Sequence, residues 1–455
     1  MRARFSMRSI AMALALCAGG CAIGPNYSKP DTATPQAYKE AGDWLVAQPR
    51  DTAPKGKWWE VFNDPTLNQL EERVSVSNQT LKAAEARYTQ ARAAVQVARS
   101  GLFPTISLNS GATRSRGVPN RYNIELDARW EIDLWGRIRR QIEAARASEE
   151  ASVADVENAR LSLQAELATD YFQLRATDAT LDLLEDTVKA FDVSYKVTQN
   201  RYDAGVAARV DVVQAETQLR STEAQAIDQR VTRAQLENAI AVLVGEPPST
   251  FVLPRTLFKA RIPDIPPGVP STLLERRPDV ASAERNMAAA NARIGIAEAA
   301  YFPALTLTGA IGFVSNELRT LFSAPNRFWS VGAGLAGTVL DFGARSGGVA
   351  QARGAFDEEI ANYRETVLEA FQEVETNLAA AHWLAEESKV QQEAARAARE
   401  SVTLTVNQYK AGTVSYLNVV QVQATQLSEE RNTVTILNRR LAATVALIRA
   451  LGGTW

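Results

Sequence analysis

The sequence is written twice, and that duplication limits the possible folds more than any other feature. "LFPTISLNSG", starting at Leu102, is answered by "YFPALTLTGA", starting at Tyr301. "DLWGRIRR" is answered by "LDFGARSG", and "RYDAGVAARVDVVQ" by "QYKAGTVSYLNVVQ". Gly136, Gly205 and Gly245 find partners in Gly343, Gly412 and Gly452 at one constant spacing. Each half reads as helix, strand, strand, very long helix, helix. The first repeat covers 66–245, with helices at 66–100, 137–204 and 206–244 and strands at 105–112 and 122–134. The second covers 271–455, with helices at 271–299, 345–411 and 413–451 and strands at 305–313 and 328–340. A Pro-rich linker, 246–270, joins them.

The long helices are marked by what they lack. No glycine or proline occurs between Gly136 and Gly205, enough for roughly 100 Å of continuous helix. Leu167, Leu174, Leu181, Val188, Tyr195 and Tyr202 recur every seventh position, a narrow coiled-coil-like seam. Ile360, Val367, Val374, Ala381, Ser388, Ala395, Val402 and Tyr409 repeat that seam in the second half.

The strands have a different period. In "YNIELDARWEIDLWG", Ile124, Leu126, Ala128, Trp130, Ile132 and Leu134 alternate with Glu125, Asp127, Arg129, Glu131 and Asp133. One face is greasy and the other charged, as in a strand with lipid on one side and a wet lumen on the other. The five charged residues are expected to line that lumen. All four strands approach the ~9–11 residues that a membrane strand needs. Four strands cannot close a barrel, since single-chain barrels start at about eight; a homotrimer pools twelve. The long helices then hang from one mouth and close side by side into a tube. No segment has 18 uninterrupted apolar residues, so a membrane crossing would be made by strands.

The N-terminus supplies an address. Arg2, Arg4 and Arg8 precede the apolar run "IAMALALCAGG", which is followed by "CAIGP". This reads as a signal peptide over 1–20, with small residues before Cys21 as in a bacterial lipobox, although Ala18 stands where leucine is usual. Cys21 is then acylated as the first mature residue, and 21–65 forms an anchor and extended segment. Acyl chains stabilise an outer-membrane location once more than one is present, and Ala22 is not the aspartate that retains some lipoproteins at the inner membrane.

Composition excludes several classes. A net charge of −2 offers no electrostatic support for nucleic-acid binding. One histidine, His382, and two cysteines leave no His/Cys metal site. No phosphate loop and no Ser/His/Asp or Cys/His set occurs, so no enzyme activity or cofactor is expected.

The ordered fragments "CAIGPNYSKP", "WWEVFNDPTLNQLEERVSVSNQTLKAAEARYTQARA", "SGLFP", "WEIDLWGRIRR", "LLERRPDVASAE" and the two Y-x-A-G turns span nearly the whole mature chain. In these the sequence resembles the outer-membrane efflux factors of the TolC type, in the lipoprotein branch typified by OprM. The resemblance implies a mainly α protein with a membrane β-barrel. It would be a homotrimer with a 12-stranded β-barrel, a 12-helix periplasmic α-barrel and an equatorial collar that includes the linker. It further implies a bacterial outer-membrane exit duct, reaching into the periplasm, for a pump assembled with a periplasmic adaptor (membrane fusion) protein and an inner-membrane transporter. The expected cargo is drugs or other small toxic compounds. Heavy metals and secreted protein are alternatives for the cargo, and a lipid-anchored scaffold without a pore is the alternative for the class.

By the same resemblance, Arg201, Tyr202, Gly205, Tyr409 and Gly412 mark periplasmic tips that meet the adaptor. The constriction falls at Leu417 and Gln421. Gln421 stands where family members often have an aspartate; Asp211, after the first tip, either supplies a charge there instead or belongs to a solvated helix face. Trp58, Trp59 and Phe62 read as aromatic packing that docks the N-terminal segment.

Overall fold

The computed structural model describes residues 22–29, 56–256, 258, 261–263, 265 and 276–453. The signal peptide, Cys21, residues 30–55, much of the linker and the start of the expected 271–299 helix lie outside the described residues. The elements are α1 (Pro65–Ser77), α2 (Gln79–Ser100), β1 (Thr105–Ser115), β2 (Val118–Ile132), α3 (Arg137–Asp203), α4 (Arg209–Leu243), α5 (Pro278–Ala299), β3 (Ala304–Ser315), β4 (Arg327–Ala336), α6 (Ala344–Lys410) and α7 (Tyr416–Ala450). Two compact units contain them. One comprises the N-terminal segment up to Thr32, Ala84–Asp155 and Asp279–Thr366; the other comprises Ala33–Ala83, Val156–Pro278 and Val367–Trp455.

The expected 66–100 helix is two helices. Asp64 accepts from the amides of Thr66 and Leu67, at 2.9 and 3.1 Å, and Pro65 takes the first position of α1. Asn78 then goes extended, and its buried side chain works in two directions. Its Oδ1 accepts from the Leu81 amide at 3.0 Å, while its Nδ2 donates to the Leu243 carbonyl at 2.8 Å. One residue thus ends α1, caps α2 and closes the end of α4.

In the first unit the strands run β1-β2-β3-β4, antiparallel throughout. Their ends differ from expectation. The polar stretch "TRSRGVPN" is mostly strand, closed by a tight turn in which Gly117 has φ 79. β2 ends at Ile132, and Asp133 lies beyond it. Val339 and Leu340 likewise fall outside β4.

In the second unit Leu67, Leu70, Val74 and Leu81 are buried, as are Leu167, Tyr171, Phe172 and Leu174 of α3. Phe62 meets Phe172 with ring centroids 4.9 Å apart, Trp58 donates to Gln164 at 3.2 Å, and the Tyr171 hydroxyl donates to Asp64 at 2.6 Å. The "WWEVFNDP" stretch is therefore the piece that docks the incoming chain on α3. Leu167, Leu174 and Leu181 of the first seam are buried, as are Val367, Val374, Ser388 and Ala395 of the second.

Candidate functional site

Two features in separate units carry the functional argument: the sheet and the helix–turn–helix ends. Register decides the faces of the sheet, because residues directly opposite in an antiparallel pair share a face. Leu108, Leu126, Ile311 and Trp329 form one continuous row, and Ile106, Ala128, Gly309 and Val331 form the next. Leu335 continues the same face opposite Leu305. Ile106, Leu108, Leu126, Ile311, Trp329, Val331 and Leu335 are all exposed, Trp329 and Val331 by 71% and 77%. Seven such side chains represent roughly 10–20 kcal/mol of unrealised burial, as much as the whole stability of an ordinary domain.

The opposite face carries Glu125, Asp127, Arg129 and Glu131, set in turn against Gly312, Ala310, Thr308 and Thr306 of β3. Asp127 accepts from Asn109 across the β1–β2 pair. At the helix end the charges are already partnered: Glu131 pairs with Arg137 at 2.8 Å. Asp133 departs from the expected strand face altogether. Its carboxylate accepts from the amides of Ile138 and Arg139, at 3.0 and 2.9 Å, and binds the Arg139 side chain at 3.3 Å. A carboxylate at the start of a helix satisfies orphan amides and complements the dipole, so Asp133 starts α3. Asp341 does the same at the start of α6, accepting from the amides of Gly343 and Arg345 and pairing with the Arg345 side chain.

Aromatic side chains bracket the apolar face. Near the helices, Trp130 donates to the Leu102 carbonyl at 3.0 Å and Trp135 to the Pro303 carbonyl at 2.8 Å, with Trp135 stacked on Phe302. Toward the far end stand Tyr122 and the Phe313–Phe322 pair, with Trp329 one row nearer the middle. The N-terminal segment docks beside the first group. The Ile23 amide donates to the Trp135 carbonyl at 3.1 Å, and Arg140 donates to the carbonyls of Ile23 and Gly24 and to Asn26, each at 3.1 Å. The approach requires Gly295, where a Cβ would stand 2.7 Å from the Ile23 carbonyl oxygen. Cys21, the expected acylation position, is outside the described residues; its neighbour Ala22 lies against Gly136 at the foot of the sheet.

The helix ends belong to the second unit. α3 stops because Gly205 adopts φ 75, with the Val206 amide donating back to the Arg201 carbonyl at 2.8 Å. α6 stops the same way at Gly412, φ 76, with the Thr413 amide donating to the Gln408 carbonyl at 3.0 Å. Arg201 lies 4.8 Å over the Tyr409 ring, so the two tips touch. Arg209 lies 5.9 Å over Tyr202, whereas its counterpart in the second repeat, Tyr416, meets Tyr409 edge-on at 5.4 Å. Tyr416 is buried with Ala215 and Val419, and burial raises its hydroxyl pKa above the ordinary tyrosine value. Sequence reasoning missed Tyr416; its only signal was its place in "SYLNVVQ", opposite Arg209 in the repeat. Leu417 and Gln421 lie one turn apart on α7 and are exposed, away from buried Tyr416 and Val419. Asp211 is half-buried in the first turn of α4.

A family model described as outer membrane efflux protein matches residues 71–246 and 269–453. The chain belongs to the outer membrane efflux protein family. It is 31% identical over 466 residues to the outer membrane protein OprJ of Pseudomonas aeruginosa, covering 98% of this chain and 95% of that one. It is 29% identical to the probable efflux pump outer membrane protein TtgC of Pseudomonas putida, covering 99% and 96%. Among solved structures, the outer-membrane channel OprN is 31% identical with a TM-score of 0.87, covering 96% of this chain and all of that one. The open-state MtrE outer-membrane channel of Neisseria gonorrhoeae is 28% identical with a TM-score of 0.85, covering 95% and 98%. Like these relatives, the chain is an outer-membrane efflux component, and nothing catalytic is indicated for the family.

Proposed function

We propose that three copies of this chain close their sheets into one twelve-stranded barrel and act as the exit duct of a tripartite efflux pump. One observation carries the reading: a four-stranded sheet with an exposed apolar face, a charged opposite face, and outer strands β1 and β4 each paired on one side only. Lipid is the solvent that suits the first face, water the second, and closure is the only way a sheet satisfies its edges in a bilayer. Glu125, Asp127, Arg129 and Glu131 then line the lumen.

Cys21 carries the acyl chains. The docking of Ala22 and Ile23 beside Trp135 supports this, since it delivers the preceding residue's lipid to the aromatic band at the membrane surface. The helices of the trimer form the periplasmic tube. Its tips, at Arg201, Tyr202, Gly205, Tyr409 and Gly412, meet the adaptor, and rings of Leu417 and Gln421 with Asp211 set the constriction. Energy comes from the inner-membrane transporter; the duct opens by a shift in tip population biased by adaptor contact.

The cargo is small toxic organic compounds. Supporting this, relatives at 29% identity are named as an antibiotic efflux pump protein, ArpC, and a toluene efflux pump protein, TtgC, both of Pseudomonas putida. Light scattering on detergent-extracted protein tests the assembly. Three chain masses are expected, and a stable monomer would sink the barrel. Susceptibility of a deletion strain to solvents and antibiotics tests the cargo; unchanged susceptibility to both, with metal sensitivity instead, would replace it.

A further inference from the structure

The end of the sheet remote from the helices has a charge imbalance that the channel function does not use. The β1–β2 turn, the β3–β4 connection and the strand ends that flank them carry Arg114, Arg116, Arg121, Arg319 and Arg327 against a single acid, Glu317. All five arginines are exposed, and among the described residues no ion pair involves any of them. The other end of the same sheet is built the opposite way, with Arg137 on Glu131, Arg139 on Asp133 and Arg345 on Asp341. In a chain of net charge −2, five such arginines gathered at this end are a local concentration of positive charge.

Their placement says which anion they face. Arg327 stands opposite Phe313 in the register, so it lies on the apolar face, one row beyond Ile311 and Trp329. The β3–β4 connection leans to that same side, because Phe322 packs edge-on against Phe313 at 5.5 Å. It is folded and held. The hydroxyls of Ser315 and Thr320 are 2.8 Å apart, and Asn326 donates to the Thr320 carbonyl at 2.6 Å. From this frame Leu318 and Phe322 project 66% and 67% exposed, beside Arg319 and Arg327. Greasy and cationic side chains on one side of a rigid connection fit the interfacial layer of a membrane with anionic headgroups. Of the five, Arg121 is placed by register on the charged face, opposite Thr113, whereas Arg327 is placed on the apolar face.

We propose that this rim is a binding surface for the phosphorylated lipid headgroups of the outer leaflet, fixing the depth of the barrel there. Arginine suits the task because its planar fork grips phosphate oxygens in pairs and stays charged at any relevant pH. The proposal rests on the barrel reading above.

The test uses the full-length trimer and vesicles of phosphatidylcholine doped with bis-phosphorylated lipid A, with native mass spectrometry counting lipid A retained after extraction. The wild type should retain it, and retention should fall as salt rises. The Arg319→Gln/Arg327→Gln double variant should bind about tenfold or more weakly, while its conductance in planar bilayers and its trimer mass stay unchanged. Glu317→Gln should bind at least as well as the wild type. Lipid A stripped of its phosphates should bind the wild type as poorly as the intact lipid binds the double variant. Equal retention by the wild type and the double variant would overturn the proposal. Displacement of the lipid by millimolar inorganic phosphate would overturn the lipid assignment in favour of a small-anion site. A wild type without conductance would strike the barrel reading itself, a result distinguishable from lost lipid binding in a conducting trimer.

Discussion

Placing an arginine at Ile311 and, in a separate protein, at Ala310 compares the two faces of the sheet at one depth. The residues are neighbours in β3. Ile311 is in register with Leu126, midway along β2 between Tyr122 and Trp130, which puts it near the centre of the apolar band. Ala310 is in register with Asp127 on the charged face. An arginine on the lipid face at the bilayer midplane costs about 2–4 kcal/mol, so Ile311→Arg should cost a trimer roughly 6–12 kcal/mol in three copies. Ala310→Arg faces water and gains an opposite charge across the strand pair, worth about 0.2–1 kcal/mol in its favour. Urea unfolding from phospholipid vesicles, with heat-resistant trimer on unheated gels as the cellular readout, measures both. Ile311→Arg should abolish or severely reduce the assembled trimer, and Ala310→Arg should leave it near wild type. Equal tolerance of the two, or greater damage from Ala310→Arg, would refute the assignment of faces.

Other expectations come from the second unit. Glu71 is fully buried with no hydrogen-bond partner on either oxygen, and burial holds its carboxyl well above the usual carboxylate range. Folding therefore favours its protonated form, and this residue's contribution to stability is lost as pH rises above the unfolded carboxyl's range; Glu71→Leu should raise the neutral-pH stability by about 1–3 kcal/mol and weaken that pH dependence, read by thermal unfolding in detergent. Asp170 has its pKa raised from 3.8 to about 6 by burial and then by Glu166. Its effect on stability should worsen between about pH 4 and 6, and Asp170→Asn should flatten the profile across that window. At the tips, Arg201→Ala removes a cation–π contact worth about 0.5–1 kcal/mol, and Tyr409→Ala removes in addition an aromatic pair worth about 0.5–1.5 kcal/mol. Both should raise the open probability of single channels, Tyr409→Ala more; unchanged gating in both would remove the tips from the closing device.

Features with a strong period or a fixed backbone demand were readable from the sequence. The alternation from Ile124 to Ile132 marks the two faces of β2, and Gly205 and Gly412 mark helix ends because their positive φ is what terminates each long helix. Features set by a contact distant in the chain were not. Asn78 breaks the first helix because its side chain finds the Leu243 carbonyl, 165 positions away. Asp133 keeps the strand's polar parity in the sequence but is taken by the amides of α3. The burial of Glu71 contradicts its polarity, and the Tyr416 contact depends on how α6 and α7 meet across their turn. The arginines at the far end of the sheet were visible as letters, yet their common side depended on the register of Arg327 with Phe313 and on the fold of the connection.

Single-channel recording of the purified protein in planar bilayers tests the central claim most directly. Trimer-sized material should give uniform, stepwise conductance increments, with Ala310→Arg altering ion selectivity because its three copies face the lumen. A trimer that inserts but never conducts would contradict the account and leave a lipid-anchored scaffold in its place.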